Sequence, residues 1–271
     1  MKVDEVKQLT NKALEELIAA LETGHSEALT AYLKTMSLFS KYSLNNLFLI
    51  ARQRPDARRV AGYQTWRKLG RYVRKGEKGI AVIAPLVRRK SEEDSSQTND
   101  QRVIAGFKIA HIFSEEQTDG EPLAELGTVA GDPSAYFERL TNYIAETGID
   151  LEYSQEIAPA KGLAMAGKIT LLPDQTPAEM FSTCVHELAH CCLHQTARRA
   201  ETTKRIRETE AEAVAFVVCS AIGLETGTAS QDYLGLYGGD ATLLLDSLEY
   251  VQQTASRILT AIAPENSDAP F

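Results

Sequence analysis

One short segment constrains the fold more than any other: residues 185–190 read Val-His-Glu-Leu-Ala-His. Residues four apart lie on one face of an α-helix, so His186 and His190 can direct their ring nitrogens at one point, with Glu187 beside it. Two histidines at this spacing and an adjacent glutamate are the arrangement with which a helix binds Zn²⁺. The sequence therefore predicts a zinc-binding helix at 177–197. The competing interpretation is an amphipathic helix with two surface histidines.

A zinc site that keeps an open position needs a third protein ligand. The next predicted helix, at 204–222, carries Glu208, Glu210 and Glu212. Glu208 and Glu212 share a helix face, whereas Glu210 points elsewhere. We predict that Glu208 is the ligand and that Glu212 orients a ligand histidine by accepting its other N–H. Glu212 and Glu210 are the alternatives as third ligand. A solvated acidic face is the competing interpretation, but the apolar run over 213–218 favours a buried helix whose carboxylates need a cation.

The predicted chemistry is hydrolysis of a peptide bond in a protein substrate of unknown identity. A zinc ion lowers the pKa of a bound water molecule toward about 7, so Glu187 can take its proton near neutral pH. His194 is predicted to cap the helix end, with contact to substrate as the alternative. Cys191 and Cys192 are predicted to be core or lining residues, because adjacent residues on a helix diverge by about 100°.

The cysteine pattern and the hydropathy predict a cytoplasmic protein with no membrane partner. The four cysteines form no CxxC pair, which argues against a disulfide framework and favours a reducing compartment. No apolar run approaches the roughly 20 residues that a membrane span needs. The N-terminal segment is polar and amphipathic, unlike a secretory signal.

Charge is unevenly distributed along the chain. Residues 1–90 contain 18 Lys and Arg against 8 Asp and Glu, and the remaining residues contain 11 against 29, so the net charge of −8 conceals a basic N-terminal part. Within 52–90 the ratio is 13 to 2, and aromatic rings are interleaved with the cations. Basic grooves with aromatic platforms bind single-stranded nucleic acid, because phosphates need cations and unpaired bases expose faces for stacking. The predicted DNA-binding residues are Arg52, Arg54, Arg58, Arg59, Tyr63, Trp66, Arg67, Lys68, Arg71, Tyr72, Arg74, Lys75 and Lys78.

For the same segment, the competing interpretation packs Tyr63, Trp66 and Tyr72 into the core and leaves the cations as a solvated face. The sequence does not distinguish single-stranded DNA from duplex DNA or from RNA.

Hydrophobic periodicity predicts an α+β protein of two domains. The N-terminal domain, 1–115, contains helices at 2–22 and 26–38, a third helix that Pro55 closes, a short helix at 63–69, and a long hairpin that pairs 78–90 with 102–113. An acidic linker, 116–131, leads to the second domain, 132–262. That domain contains a helix at 133–147, strands at 150–153 and 163–172, the two helices described above, and a helix at 240–261. The tail, 263–271, is predicted to be flexible.

Three segments resemble a known family. YSLNNLFLIARQRPDARRVAGYQTWRKLGRYVRKGEKGIAVIAP (42–85) resembles the N-terminal single-stranded-DNA-binding domain of ArdC-type antirestriction proteins. VHELAHCCLHQ (185–195) and RETEAEAVAFVV (207–218) resemble their zincin-like metallopeptidase domain, which is also similar to ImmA/IrrE-type peptidases. The resemblance implies that His186, His190 and Glu208 bind the metal and that Glu187 is the catalytic glutamate. One departure concerns the outer wall of the site, where this chain has Cys-Cys-Leu at 191–193 in place of an aromatic, small and glycine run.

Members of this family are encoded on conjugative plasmids and related mobile elements and are proposed to protect incoming single-stranded DNA from restriction. The resemblance therefore implies a DNA-binding antirestriction-type protein with a zinc-dependent metallopeptidase domain. The alternatives are a DNA-shielding protein whose zinc is only structural, and a regulatory protease that cleaves a repressor.

Overall fold

Helices and short sheets combine in the α+β architecture that the sequence predicts. The structure, a computed structural model, describes residues 3–23, 26–89, 102–120, 133–195, 198–224 and 241–264. Over these residues the helices are α1 (Val3–Glu22), α2 (Ser26–Leu38), α3 (Leu44–Gln53), α4 (Tyr63–Lys68), α5 (Ser134–Glu146), α6 (Pro177–His194), α7 (Arg198–Glu201), α8 (Lys204–Ala221) and α9 (Ala241–Ile262). The strands are β1 (Val60–Gly62), β2 (Arg71–Val73), β3 (Ile80–Arg89), β4 (Arg102–Ser114), β5 (Thr118–Gly120), β6 (Asp150–Tyr153), β7 (Gly162–Met165) and β8 (Lys168–Leu171). None of the helices in these ranges is long and apolar enough to cross a membrane.

The predicted helices and the long hairpin agree with the structure, one predicted strand is divided in two, and four short elements are additional. The single strand predicted at 163–172 is two antiparallel strands, β7 and β8, because the chain turns at Gly167, whose φ of +72° lies in the left-handed region that favours glycine. The strands β1, β2 and β5 and the helix α7 were not predicted. Each spans only three or four residues, which is too short for a hydrophobic period to appear.

The chain divides into two compact units, and the division is not a single cut in the sequence. The first unit contains the described residues up to 16 and from 45 to 120, and the second contains those from 17 to 44 and from 133 to 264. The helix α2 therefore belongs to the second unit, where it packs against α8. The first residues of the predicted linker are ordered in the first unit as a 3-10 turn, Glu115–Gln117, and β5. The rest of that linker, 121–131, and residues 265–271 of the predicted tail lie outside the described residues. The predicted domain boundaries stay a prediction.

A three-stranded antiparallel sheet of order β1-β4-β3 forms the centre of the first unit. Its apolar face packs on the start of α1 and on α3, where Val6, Leu49 and Ala81 form a fully buried cluster. Burial of the Val6 and Leu49 side chains contributes about 1.5–3 kcal/mol each, and this stabilises the packing of the helices on the sheet.

The outer edge of β3 is paired by side chains of α3 rather than by another strand. The amide of Asn46 exchanges two hydrogen bonds of 2.9 Å with the backbone of Ile83. The amide of Gln53, seven residues on and therefore on the same helix face, does the same with Ala81 at 2.9 Å. The α3 helix is thereby fixed in register against the sheet.

The second unit places helices on a small mixed sheet of order β6-β8-β7. The middle strand β8 is parallel to β6 and antiparallel to β7, so β7 lies at one edge. The helix α6 packs against β7, β8 and α8, and α8 also contacts α9. The start of α6 is set by a capping box: Thr176 accepts from the N–H of Glu179 at 3.3 Å, and Glu179 accepts from the N–H of Thr176 at 3.1 Å.

Candidate functional site

Three of the predicted metal-binding side chains converge at the meeting point of α6 and α8. His186 and His190, one turn apart on α6, place their Nε2 atoms 3.1 Å from each other. Glu208 on α8 places Oε2 3.6 Å from Nε2 of His186 and 3.4 Å from Nε2 of His190. Within the described ranges these residues form one group of potential ligands, with the ligand atoms within 4.8 Å of one another.

These separations fit a divalent metal ion. Two ligand atoms on a tetrahedral ion with bonds of about 2.0–2.1 Å lie about 3.3 Å apart, and the three observed separations fall on either side of that value. Two imidazole nitrogens and one carboxylate oxygen are also a donor set that transition metals accept. Glu208 is half exposed, so the ligand group borders solvent and leaves room for a further ligand.

Both imidazoles are in the state that a metal requires. Burial lowers the pKa of His186, and burial together with the neighbouring His186 lowers the pKa of His190 to about 4. At neutral pH both rings are therefore uncharged, and each has a nitrogen lone pair available for a cation.

Glu187 lies beside the ligand group in a pocket formed by β7. A Cβ atom added at Gly162 would lie 2.7 Å from Oε1 of Glu187 and 2.7 Å from a methyl carbon of Thr183, so the side chain of Glu187 occupies space that only glycine leaves. The N–H of Ala164 donates a hydrogen bond to the carboxylate. Burial, reinforced by the nearby charge of Glu208, raises the pKa of Glu187 to about 7. A carboxyl group with such a pKa can both accept and release a proton near neutral pH.

A cleft of about 610 Å³ opens over these side chains. The edge strand β7 lines one side with Gly162, Leu163 and Ala164, and Arg199, Lys204 and Arg207 line another. Cys191 and Cys192 are half-buried, in keeping with the predicted core or lining role, and burial raises the pKa of Cys191 to about 11. That thiol is therefore protonated at neutral pH.

Behind His190, a buried polar chain runs away from the cleft. Nδ1 of His190 lies 2.9 Å from Nδ1 of His194, and Nε2 of His194 lies 2.9 Å from Oε2 of Glu210. His194 is 1% exposed and Glu210 is 1% exposed. His194 thus forms hydrogen bonds with His190 and Glu210 inside the protein. The sequence predicted only that it caps the end of the helix. The signals in the sequence were the i, i+4 spacing from His190 and a glutamate that comes shortly before the apolar run over 213–218.

The other two glutamates of α8 lie where the helix period predicts. Glu210 points away from Glu208, as expected, and is directed into the interior rather than at the metal-binding group. Glu212 is exposed, and its predicted role in orienting a histidine stays a prediction.

In the basic segment of the first unit, three predicted DNA contacts are part of the fold instead. Trp66 is fully buried and donates its indole N–H to the carbonyl of Phe113 at 2.9 Å. A ring without an exposed face cannot stack on a base, so the burial of Trp66 favours the competing interpretation, in which it packs into the core. Arg59 is buried beside Glu115, at 3.4 Å, and Arg71 is buried with its Nε donating to Thr118 Oγ1 at 2.8 Å. The guanidinium groups of Arg59 and Arg71 thus form hydrogen bonds inside the protein.

The remaining ten residues of that segment are accessible to a ligand. Arg52, Arg54 and Arg74 form ion pairs with acidic residues at the surface. Exposed ion pairs contribute only about 0–1 kcal/mol, so a phosphate can compete for these cations. Seven further side chains are exposed: Arg58, Tyr63, Arg67, Lys68, Tyr72, Lys75 and Lys78.

The long hairpin adds exposed apolar side chains that sequence reasoning did not single out. Val87, Ile104 and Phe107 are 53%, 60% and 59% exposed. Their exposure could not be read from the sequence, because the alternation of apolar residues does not tell which stretch of a long hairpin extends past its covering helices.

Comparison with known proteins places the N-terminal part of the chain in a family. A profile of the N-terminal domain of anti-restriction factor ArdC matches residues 5–113. The whole chain also resembles two crystal structures of the antirestriction ArdC protein from the R388 plasmid. The metal-free structure is 22% identical with a TM-score of 0.52, covering 93% of this chain and 97% of that one. The Mn(II)-bound structure is 21% identical with a TM-score of 0.53, covering 95% and 99%.

Residues 5–113 belong to the ArdC N-terminal domain family. The family match lies in the N-terminal part, and the likeness to the solved structures extends the ArdC fold over nearly the full chain. A further relative, an uncharacterized protein pXO2-81 of Bacillus anthracis, is 22% identical over 311 residues that include 98% of this chain. The chain spans about half, 52%, of that relative.

Proposed function

We propose that this ArdC-type protein of a mobile element binds single-stranded DNA with its first unit and hydrolyses peptide bonds with a zinc centre in its second unit. The observation that carries the second part is the convergence of His186, His190 and Glu208 at metal-ligand separations, with Glu187 held beside them by β7. Its domain would be zincin-like, with the motif helix packed on a small sheet.

Zinc is the ion that this donor set favours. Neutral imidazoles and a single carboxylate in a partly open site are typical of catalytic zinc, whereas manganese is held mainly by oxygen ligands. When bound, zinc supplies Lewis acidity that polarises a carbonyl group and lowers the pKa of water. The solved ArdC protein from R388 binds Mn(II), and this makes the identity of the native ion here a question for measurement.

Glu187 is proposed to act as the general base. Its carboxylate lies against Gly162 and accepts the N–H of Ala164, so its orientation is set before substrate arrives. In that position it takes a proton from the attacking water and holds it at an Oε atom until the leaving amine accepts it. The protein substrate would lie in the cleft, with an extended segment beside the edge strand β7.

The DNA-binding proposal depends on the ten accessible residues of the basic segment, with Tyr63 and Tyr72 as the rings available for stacking. Phosphate contacts by the surrounding cations give affinity that falls steeply with salt concentration. Comparing a single strand with a duplex of the same sequence, at one salt concentration, tests the preference for single strands.

The experiment that tests the enzymatic proposal combines metal analysis with a matched variant. The purified protein should contain about one zinc per chain and should generate new peptide termini in a proteome-derived peptide library, read by mass spectrometry. Glu187→Gln keeps the size of the side chain and leaves the three ligands in place, so it should retain zinc and lose cleavage. A wild-type protein that binds no divalent metal contradicts the proposal.

A protein that binds zinc but protects DNA from restriction equally well with Glu187→Gln would instead favour the DNA-shielding alternative. The regulatory protease remains the alternative if duplex DNA is preferred and a repressor is cleaved. Cytoplasmic location also stays a prediction.

A further inference from the structure

The buried polar chain behind His190 reaches from the ligand group into the core of the second unit. It contains Nδ1 of His190, both ring nitrogens of His194, and Glu210, with 2.9 Å between partners at each of its two steps. Such distances correspond to full hydrogen bonds. Because the members lie on two different helices, α6 and α8, the chain also ties the two metal-bearing helices together.

Only one assignment of protons satisfies this chain when a metal is bound. Nε2 of His190 is directed at His186 and Glu208, so it must be the unprotonated, metal-binding nitrogen. The proton of the neutral ring is then on Nδ1, which donates to Nδ1 of His194. His194 in turn carries its proton on Nε2 and donates it to Glu210.

Glu210 is anchored as a charged acceptor. Arg198 on α7 donates to it through Nε at 3.3 Å and through a second, shorter contact, and the hydroxyl of Ser247 on α9 donates at 2.5 Å. The guanidinium of Arg198 is itself held 3.7 Å from the ring centroid of Tyr250. Buried carboxylates persist only with such partners, and this one has three.

We propose that His194 and Glu210 are positioning residues of the metal centre. They fix the ring of His190 with Nε2 toward the ion and make that nitrogen a stronger metal ligand. Carboxylate partners of ligand histidines set the tautomer and raise the basicity of the ring. Here the carboxylate acts across an intervening histidine, which extends the same effect deeper into the core. The inference rests on the proposed metal centre, but it does not depend on proteolysis.

Zinc affinity, measured by competition with a chromophoric chelator, tests this proposal without a substrate. His194→Phe removes both hydrogen bonds at similar volume and should weaken zinc binding by about 10–100-fold. His194→Asn can still accept from Nδ1 of His190 through its side-chain carbonyl, so it should recover part of that loss. The visible spectrum of the cobalt-loaded protein should change in both variants, since it reports ligand geometry.

Ser247→Ala provides the matched control. It removes one donor to Glu210 but leaves His194 and its two hydrogen bonds intact. It should lower thermal stability in the absence of metal while changing zinc affinity by no more than about threefold, which distinguishes a positioning role from general support of the core.

Tautomer-sensitive ¹⁵N NMR of the zinc-loaded wild type keeps the proposal testable if the variants fail to fold. His190 should be protonated at Nδ1 and His194 at Nε2. The opposite tautomer at His194, or a folded His194→Phe protein that binds zinc within about threefold of wild type, overturns the inference. In that case wild-type zinc binding would still stand, and with it the proposed function. A wild type that binds no zinc would overturn both.

Discussion

Replacing Trp66 by phenylalanine separates a role in the core from a role in DNA binding. Trp66 is fully buried, and its indole N–H donates to the carbonyl of Phe113 at 2.9 Å. Phenylalanine leaves that half-buried carbonyl without the indole donor, which costs about 1–3 kcal/mol. The smaller ring also leaves a cavity that costs on the order of 1 kcal/mol. We expect the free energy of unfolding to fall by about 2–4 kcal/mol.

Urea unfolding followed by far-ultraviolet circular dichroism measures this loss. Fluorescence is unsuitable, because Trp66 is the sole tryptophan and the variant has none. The affinity of the folded variant for a labelled oligothymidine, measured by anisotropy at a fixed salt concentration, should stay within about twofold of wild type, because no face of Trp66 is exposed for stacking.

Tyr72→Ala is the control, and it should behave in the opposite way. Tyr72 is 58% exposed, so its removal should change stability by no more than about 0.5 kcal/mol. If its ring stacks on a base, the loss of about 1–3 kcal/mol corresponds to roughly 5–150-fold weaker binding. The reasoning is refuted if Trp66→Phe binds DNA more than about fivefold more weakly while folded, or unfolds with unchanged stability.

Three further predictions concern the cleft, the start of α6 and the basic segment. Gly162→Ala should displace Glu187, which lies 2.7 Å from the added carbon, and reduce peptide hydrolysis by up to the roughly 10²–10⁴-fold that a general base supplies. Zinc affinity, measured by chelator competition, should be unchanged. Weakened zinc binding would contradict the view that Glu187 acts as the base and not as a metal ligand. Lys161 and the capping box lower the pKa of Glu179 to about 2, so Glu179→Gln should reduce the stability of the protein at neutral pH. In acid unfolding curves the difference from wild type should vanish as the pH falls from about 4.5 through about 2. A difference that persists at the lowest pH would refute this. Lys75→Ala should make the salt dependence of single-strand binding shallower by about 0.7 in a log–log plot, and an unchanged slope would exclude Lys75 from the interface.

Local patterns predicted much of the second unit. The spacing of His186, Glu187 and His190 predicted that the two histidines share one helix face, because that depends only on helix geometry. The period of α8 reduced the third ligand to Glu208 or Glu212, and the packing of α8 on α6 places Glu208 there. The helix period also predicted that Glu210 points away from the metal. It could not predict that Glu210 meets His194, since that contact depends on how α6 packs against α8.

Contacts between distant segments account for what the sequence left undecided. A tryptophan among cations is compatible with a core position or a DNA contact, and its full burial, with a hydrogen bond to Phe113, 47 residues on, favours the core. The strands β2 and β5 are three residues each, and their pairing joins segments separated by the long hairpin. The helix α1 is divided between the two units after Glu16, and no change in the local amino-acid composition marks that point.

The carboxamides of Asn46 and Gln53 bear on how the protein behaves at high concentration. Backbone groups of Ala81 and Ile83 that would otherwise be free to recruit a second polypeptide are satisfied from within the same chain. The edge strand β3 therefore has fewer unpaired backbone groups over this stretch, and self-association through it is disfavoured without any added charge. Exchanging either carboxamide for an aliphatic group would remove this protection.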